Sequence, residues 1–265
     1  MQKDGNARAR LASWGRAMRV SLQLLALSLA FAHTLKAQEH VGLTASDGVK
    51  VYGDFYPAAR KSDAYILLFH QAGSNRGEYA PIAPRLAKLG FNCLAIDQRS
   101  GAERWGQRNE TVRELGRSAE YLDALKDMEA ALAWARTAKH SSEVIVWGSS
   151  YSSALVFLLA AQHPEDVAGI LAFSPGEYLG SSSLVHQAAA RVSVPIYVTS
   201  ARNEEEIRAA RSILASSPSR VKTQFVPRIG GVHGSSTLRA DADPTGEAEN
   251  WRAVEEFLHR LDEKP

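Results

Sequence analysis

A single cysteine, Cys93, in 265 residues excludes an intramolecular disulfide and every metal site built from clustered thiolates. An excess of one charge is missing too. Lys and Arg number 31 against 29 Asp and Glu, a formal net charge of +2, so the chain has neither the basic field that nucleic acid calls for nor an acidic tail. The small excess is local: the first 37 residues hold six basic side chains and one acid, and removing their +5 from the total leaves −3 for the rest. No apolar run reaches the roughly 18 to 20 residues of a membrane-spanning helix. There is no Gly-x-Gly-x-x-Gly after a strand and no phosphate loop ending in Lys-Ser or Lys-Thr, which disfavours a nucleotide-dependent enzyme, and no His-Glu-x-x-His helix of the zinc hydrolases. Internal repeats and heptads are absent as well.

What the N-terminus does have is the pattern of an export signal. A basic stretch precedes the apolar run Val20 to Ala32, and Ala30-Phe31-Ala32 and Leu35-Lys36-Ala37 both offer small-x-small cleavage sites. Residues 1–37 are therefore expected to be a cleaved signal peptide, with a periplasmic or secreted domain over 38–265 and no stable membrane insertion once the signal is gone. The alternative is an uncleaved anchor or an amphipathic helix packed on the domain.

Beyond the signal, strands and helices alternate. Val41 to Ala45 and Val49 to Tyr56 read as a hairpin about the turn Ser46-Asp47-Gly48. Buried strands follow at Ala64 to Phe69, Phe91 to Ile96, Val144 to Trp147, Gly169 to Phe173, Pro195 to Thr199 and Thr223 to Val226. Helices are expected at Tyr79 to Leu89, Ser118 to Ala138, Ser152 to Gln162, Glu204 to Ala215 and Glu247 to Leu261. Repeated strand-helix units after a hairpin imply an α/β fold, a mostly parallel eight-stranded sheet with helices on both faces and ligands at the strand C-terminal ends. Only about twenty residues separate Phe173 from Pro195, enough for one short helix but not for a large cap domain.

Several of those strand ends carry chemistry. The strand Val144 to Trp147 runs through Gly148-Ser149-Ser150-Tyr151-Ser152 directly into an apolar helix, the context of a nucleophile elbow with Ser150 at its apex. Gly148 and Ser152 occupy the flanking positions that must be small; a serine in place of the second glycine is a departure. A plain polar N-cap turn is the competing reading. A serine nucleophile needs a base and a group that orients the base. His233, in the glycine-rich loop Arg228 to Ser235 between the last strand and the last helix, is placed to be that base. The acid is expected after the strand ending at Thr199, where Asn203 stands at the position in which Asp is commonest and cannot supply charge. Glu204 is the expected acid, with Glu205 or no charged third member as alternatives, and Asn203 with Glu206 three residues on resembles a helix capping box. Acyl transfer also needs main-chain N–H groups aimed at the oxyanion. Tyr151, next after the nucleophile, and Ala72 or Gln71, after the first buried strand, are expected to supply them. His70 reads as a structural residue of that loop, Gln98 to Arg117 with Trp105 as a wall of the pocket or a solvated loop, and Cys93 as a buried inert thiol.

Taken together, His70-Gln71-Ala72-Gly73, Asp97-Gln98-Arg99-Ser100-Gly101, Gly148-Ser149-Ser150-Tyr151-Ser152 and Gly231-Val232-His233-Gly234 resemble the α/β-hydrolase superfamily, in particular its small dienelactone-hydrolase-like members, from about Val41 to Leu261. The resemblance implies an α/β-hydrolase fold without a large cap domain. It also implies Ser150 as nucleophile, His233 as general base and Glu204 as orienting acid, with Asp97 and Arg99 in a structural loop. Dienelactone hydrolases use a cysteine where this chain has Ser150, so their substrate does not transfer. The expected activity is hydrolysis of small carboxylic esters with short or medium acyl groups through an acyl-enzyme, needing neither cofactor nor metal, by a monomer or small homo-oligomer. An impaired hydrolase-fold binding protein and a serine peptidase are the rivals.

Overall fold

The computed structural model describes residues 37–141 and 143–262. The expected signal peptide lies, but for Ala37, outside the described residues. Strands β1 (Glu39–Thr44) and β2 (Lys50–Tyr56) pair antiparallel with Thr44 opposite Lys50, closed by the expected turn at Gly48, whose φ of 85° a side chain would resist. The remaining strands are β3 (Ala64–Phe69), β4 (Asn92–Ile96), β5 (Glu143–Ser149), β6 (Gly169–Phe173), β7 (Ile196–Thr199) and β8 (Lys222–Phe225). All eight form one open sheet in the order β1-β2-β4-β3-β5-β6-β7-β8, antiparallel only at the β1-β2 and β2-β4 pairs.

Alternation along the central strands feeds two cores. Tyr65, Leu67 and Phe69 of β3, Val144 and Val146 of β5 and Ile170 and Ala172 of β6 face one side, and Ile66, Leu68, Ile145, Trp147, Leu171 and Phe173 face the other. The first side is covered by helices α3 (Leu125–Ala133), α4 (Tyr151–Gln162), α5 (Leu184–Ala189) and α6 (Glu204–Ser216). On the second side lie α1 (Ala83–Leu89) and α7 (Glu247–Asp262), the latter through Trp251, Val254, Phe257 and Leu261. A further short helix, α2 (Glu110–Leu115), sits within the segment 98–117, for which the sequence predicts a pocket wall or a solvated loop. It is capped by Asn109, whose side chain accepts from the Val112 N–H.

Two expected helices are shorter than the apolar pattern suggests. Over Tyr79 to Leu89 only α1 is α-helical, because Pro81 and Pro84 interrupt the chain and Pro84 suits a first turn alone. The stretch Ser118 to Ala138 divides into a 3-10 turn at Tyr121–Ala124, then α3, then a π-turn at Trp134–Ala138. Between β6 and β7 the only helix is the short α5, so the sheet carries no cap domain there.

Below the strand ends the loops are held by charge. The Arg99 guanidinium donates to Asp127 at 2.7 Å and to Asp47 at 2.6 Å, and Arg76 meets Asp54, Asp97 and Glu110, which accounts for Asp97 and Arg99 as structural residues. Cys93 is buried mid-strand, and burial pushes its thiol far above the usual range, so it is inert.

Candidate active site

The sheet order reverses direction at β3 and β5, and the loops leaving β3, β5, β6, β7 and β8 converge at their C-terminal ends. Ser150 follows β5 directly, with φ 59° and ψ −122°, a conformation that non-glycine residues rarely adopt and that holds its side chain off the sheet. Its N–H donates to the Phe173 carbonyl at 2.8 Å, which pins the turn to β6. The turn tolerates no bulk at its first flank: a Cβ on Gly148 would stand 2.6 Å from the Ser153 Cα and closer still to the Ser152 carbonyl. The second flank has room for a serine. Ser152 is buried, and its hydroxyl donates to the His70 carbonyl at 2.6 Å, so the departure from glycine ties the elbow to the loop after β3.

His233 reaches the nucleophile from the loop after β8. Its Nε2 lies 2.8 Å from the Ser150 Oγ. On the other side of the ring, Nδ1 lies 3.1 Å from Oε1 of Glu206, not of Glu204. Glu204 is 88% exposed and pairs with Arg208 one turn along α6 at 2.9 Å, so the expectation for the acid is corrected by two residues. Asn203 is the N-cap of α6, and its side chain accepts from the Glu206 N–H at 2.9 Å; the Glu206 carboxylate in turn accepts from the Asn203 amide at 3.0 Å and from the Ala201 N–H at 3.0 Å. Burial raises the Glu206 carboxyl, but hydrogen bonds from His233, Ser174 and Asn203 outweigh it and hold the group down at about 2. Among the described residues no hydrogen bond or ion pair joins Glu205 to His233, whose ring partners are Ser150 and Glu206. Ser174, which follows β6 with φ 57°, was not singled out from the sequence; its hydroxyl also accepts from the Gly234 N–H at 3.0 Å and so joins the acid to the histidine loop.

The loop after β3 separates the two candidate oxyanion donors. The Gln71 N–H is already taken, donating to Oε2 of the buried Glu78 at 2.8 Å, which corrects the expectation for Gln71. The N–H groups of Ala72 and Tyr151 meet no protein acceptor among the described residues. The Tyr151 ring is buried beneath the Tyr121 ring, 4.5 Å away, and its hydroxyl contacts Ser100 at 2.6 Å. His70 is fully buried, accepting from the Gln98 N–H through Nε2 at 2.9 Å; Nδ1 therefore carries the proton and donates to the Gln71 carbonyl at 2.8 Å. Burial drives its imidazole down to about 4 against those two bonds, so it is neutral and structural, as its position suggested. Trp105 is half-buried, with its indole N–H donating to the Ser74 hydroxyl at 2.9 Å and the Arg239 guanidinium 3.8 Å above its ring. Among the described residues no cluster of three or more His, Cys, Asp or Glu could hold a metal ion, and no helix is long and apolar enough to cross a membrane.

This geometry can be set beside known proteins. A carboxyl esterase from Bacillus coagulans superposes with a TM-score of 0.68 at 13% identity, over 85% of this chain and 99% of that one. A dienelactone hydrolase from Anabaena variabilis gives 0.65 at 16%, over 84% and 97%, and an esterase from Pyrococcus furiosus 0.63 at 20%, over 86% and 93%. At such identities the likeness is one of fold. A comparison with curated proteins returns no match. The family model described as serine aminopeptidase, S33, matches residues 60–225, which span the elbow, the acid and all but the first two strands. With that match and an open, mostly parallel sheet of this topology, the chain belongs to the serine aminopeptidase S33 family of the α/β-hydrolase fold.

Proposed function

We propose that the protein is a serine hydrolase that cleaves small carboxylic esters through an acyl-enzyme. The observation that carries this reading is the line Ser150 Oγ, His233 Nε2, His233 Nδ1, Glu206 Oε1, with separations of 2.8 Å and 3.1 Å at its two joints. Ser150 attacks the carbonyl carbon while His233 takes its proton, and Glu206 holds the ring and the charge that develops on it. The N–H groups of Ala72 and Tyr151 receive the oxyanion. His233 then returns the proton to the leaving alkoxide, and water, activated by the same histidine, releases the acid.

The absence of a cap domain between β6 and β7 leaves the site open and supports short or medium acyl groups. The esterase names of the structural neighbours agree with an ester substrate. Peptide cleavage is the second reading, favoured by the name of the matched family. Initial rates on p-nitrophenyl acetate, butyrate and octanoate, and on amino-acyl p-nitroanilides, beside Ser150→Ala, separate the two. Ester turnover lost in the variant supports the proposal, and turnover of the anilides alone replaces it with the second reading. Rates equal in both proteins on every substrate reject both.

The basic, apolar and small-residue pattern at the N-terminus supports export with removal of residues 1–37. Mass spectrometry of the protein recovered from the periplasm or medium tests this: a chain that retains its first 37 residues rejects it.

A further inference from the structure

The reaction written above uses Ser150, His233 and Glu206 and leaves unused another titratable group behind the same strand ends. Glu78, in the 3-10 turn Arg76–Tyr79, is fully buried. A buried carboxylate must be met by donors, and those that meet it come from the site itself. The Gln71 N–H donates to Oε2 at 2.8 Å, and the Ser149 hydroxyl and the Gln71 side-chain amide donate to Oε1 at 2.7 Å and 3.2 Å. Gln71 lies beside Ala72, and Ser149 beside the nucleophile.

The loop bearing the base is tied to the same group at one remove. The Ser235 N–H donates to the Ser149 Oγ at 2.8 Å, and the Gln71 amide donates to the Ser236 hydroxyl at 3.0 Å. Gly234 joins these serines to His233, with φ 71°; a Cβ there would run into the Ser149 Oγ and lie 3.8 Å from the Glu78 Oε1. No cationic side chain bonds to the Glu78 carboxylate among the described residues. Arg239 donates instead to the main-chain carbonyls of Gly77 and Glu78, at 3.0 Å and 2.9 Å. The Gln71 N–H can only donate, so the oxygen it meets must accept, and the Ser149 hydroxyl and the Gln71 amide both donate to the other oxygen. An amide nitrogen in place of Oε2 would point a donor at the Gln71 N–H, and in place of Oε1 it would force the Gln71 amide and the Ser149 hydroxyl to turn away from their present partners. Burial pushes the carboxyl up, against the pull of Gln71, Ser149 and the charges of Arg104 and Arg239.

We propose that Glu78 is a positioning residue for the reaction. By engaging the Gln71 N–H it leaves the Ala72 N–H as the loop's oxyanion donor, and through Ser149 and Gln71 it keeps the elbow and the His233 loop in register. This rests on the serine-hydrolase reading.

The test uses the full chain as wild type, Glu78→Gln, Ser149→Ala, the double variant and Ser150→Ala. The readouts are the rate at which a fluorophosphonate labels Ser150, kcat and KM on p-nitrophenyl butyrate per titrated active site, and the thermal midpoint. Glu78→Gln lowers both kcat and the labelling rate about 100-fold with KM within about twofold, as a small misplacement of reacting groups does. Ser149→Ala, which removes both the bond to Glu78 and the one from the Ser235 N–H, lowers kcat about tenfold, and the double variant is no slower than Glu78→Gln, because the two losses lie on one path. Wild-type kcat per titrated site in Glu78→Gln overturns the proposal. So does a change confined to KM, or losses that simply multiply in the double variant. If Glu78→Gln does not fold, Ser149→Ala decides, and an unchanged kcat there overturns the proposal. A wild type that labels at Ser150 but hydrolyses no ester rejects the ester reading, while the labelling rates still decide on Glu78. A wild type that does neither rejects both.

Discussion

Glu206 serves two elements with one carboxylate: Oε2 accepts the Ala201 N–H at 3.0 Å and so closes the start of α6, while Oε1 faces His233 Nδ1 at 3.1 Å. The carboxylate that braces the chain entering the helix and the candidate catalytic acid are one group. A change that keeps the cap but removes the charge therefore separates stability from rate.

Glu206→Gln is the substitution that does so. Its amide oxygen still accepts a hydrogen bond, so the unfolding free energy falls by about 1 kcal/mol, the worth of one such bond. The rate falls far more, by about 10³ to 10⁴ in kcat, since the imidazolium that forms on His233 loses its counter-charge. Glu204→Gln, which loses only an exposed pair with Arg208, keeps kcat within about twofold and stability within about 0.5 kcal/mol. Steady-state rates and urea unfolding of the two variants check this. Equal losses in both would return the acid to an open question.

Gly148→Ala tests the elbow by sterics alone. The added methyl meets the Ser152 carbonyl and the Ser153 Cα, both main-chain atoms that cannot swing aside, so stability falls by about 3 kcal/mol and Ser150 is displaced. Ser152→Gly, by contrast, removes the hydroxyl bonded to the His70 carbonyl, costs about 1 kcal/mol, and leaves the turn its room. Urea titrations of both proteins and the labelling rate at Ser150 provide the check.

The sheet and two members of the site could be read from the sequence because each is signalled by pattern: apolar runs of strand length, a turn of small residues between a strand and an apolar helix, and a histidine in the last glycine-rich loop. The acid could not be, because its choice depends on rotation about a helix axis. Glu204 and Glu206 are two residues apart in the first turn of α6, about 200° around the axis, so only one can look back toward His233. Asn203 sets which, since capping the Glu206 N–H brings that residue over the end of β7. The capping box is legible in the sequence, and it marks the carboxylate that reaches His233. The loss of Gln71 as an oxyanion donor follows from Glu78, seven residues on in a turn broken by no periodic pattern, and the charge network about Arg76 joins residues from four separate segments.

The two carboxylates on Arg99 are unequal, and the difference is measurable. Asp127 is fully buried and bonds both the guanidinium and the Arg99 N–H, whereas Asp47 sits at the rim. Asp127→Ala leaves a buried cation short of a partner and costs about 3 to 5 kcal/mol, while Asp47→Ala costs about 1 kcal/mol or less. Urea unfolding of the two variants at pH 7 shows the gap, and a cost for Asp47→Ala as large as that for Asp127→Ala would refute this ranking.

His70 gives the fold an acid sensitivity of known sign. Its imidazole is held at about 4 by burial, below the ordinary value of 6.5, so between those two pH values the unfolded chain binds a proton that the native one does not. Stability therefore falls as pH drops from 6.5 toward 4, by about 3 kcal/mol from this residue alone. Below pH 4 its share of the slope vanishes, because both states are then protonated. Glu206 acts lower down: its carboxyl, held at about 2, contributes stability that is complete above the ordinary value of 4.5 and is lost as pH falls through 2. His70→Gln is less stable at pH 7 but cannot take up the proton, so its unfolding free energy varies less between pH 6.5 and 4 than that of the wild type. Urea unfolding of the two proteins across that interval decides the matter. Parallel slopes would assign the acid sensitivity to another group.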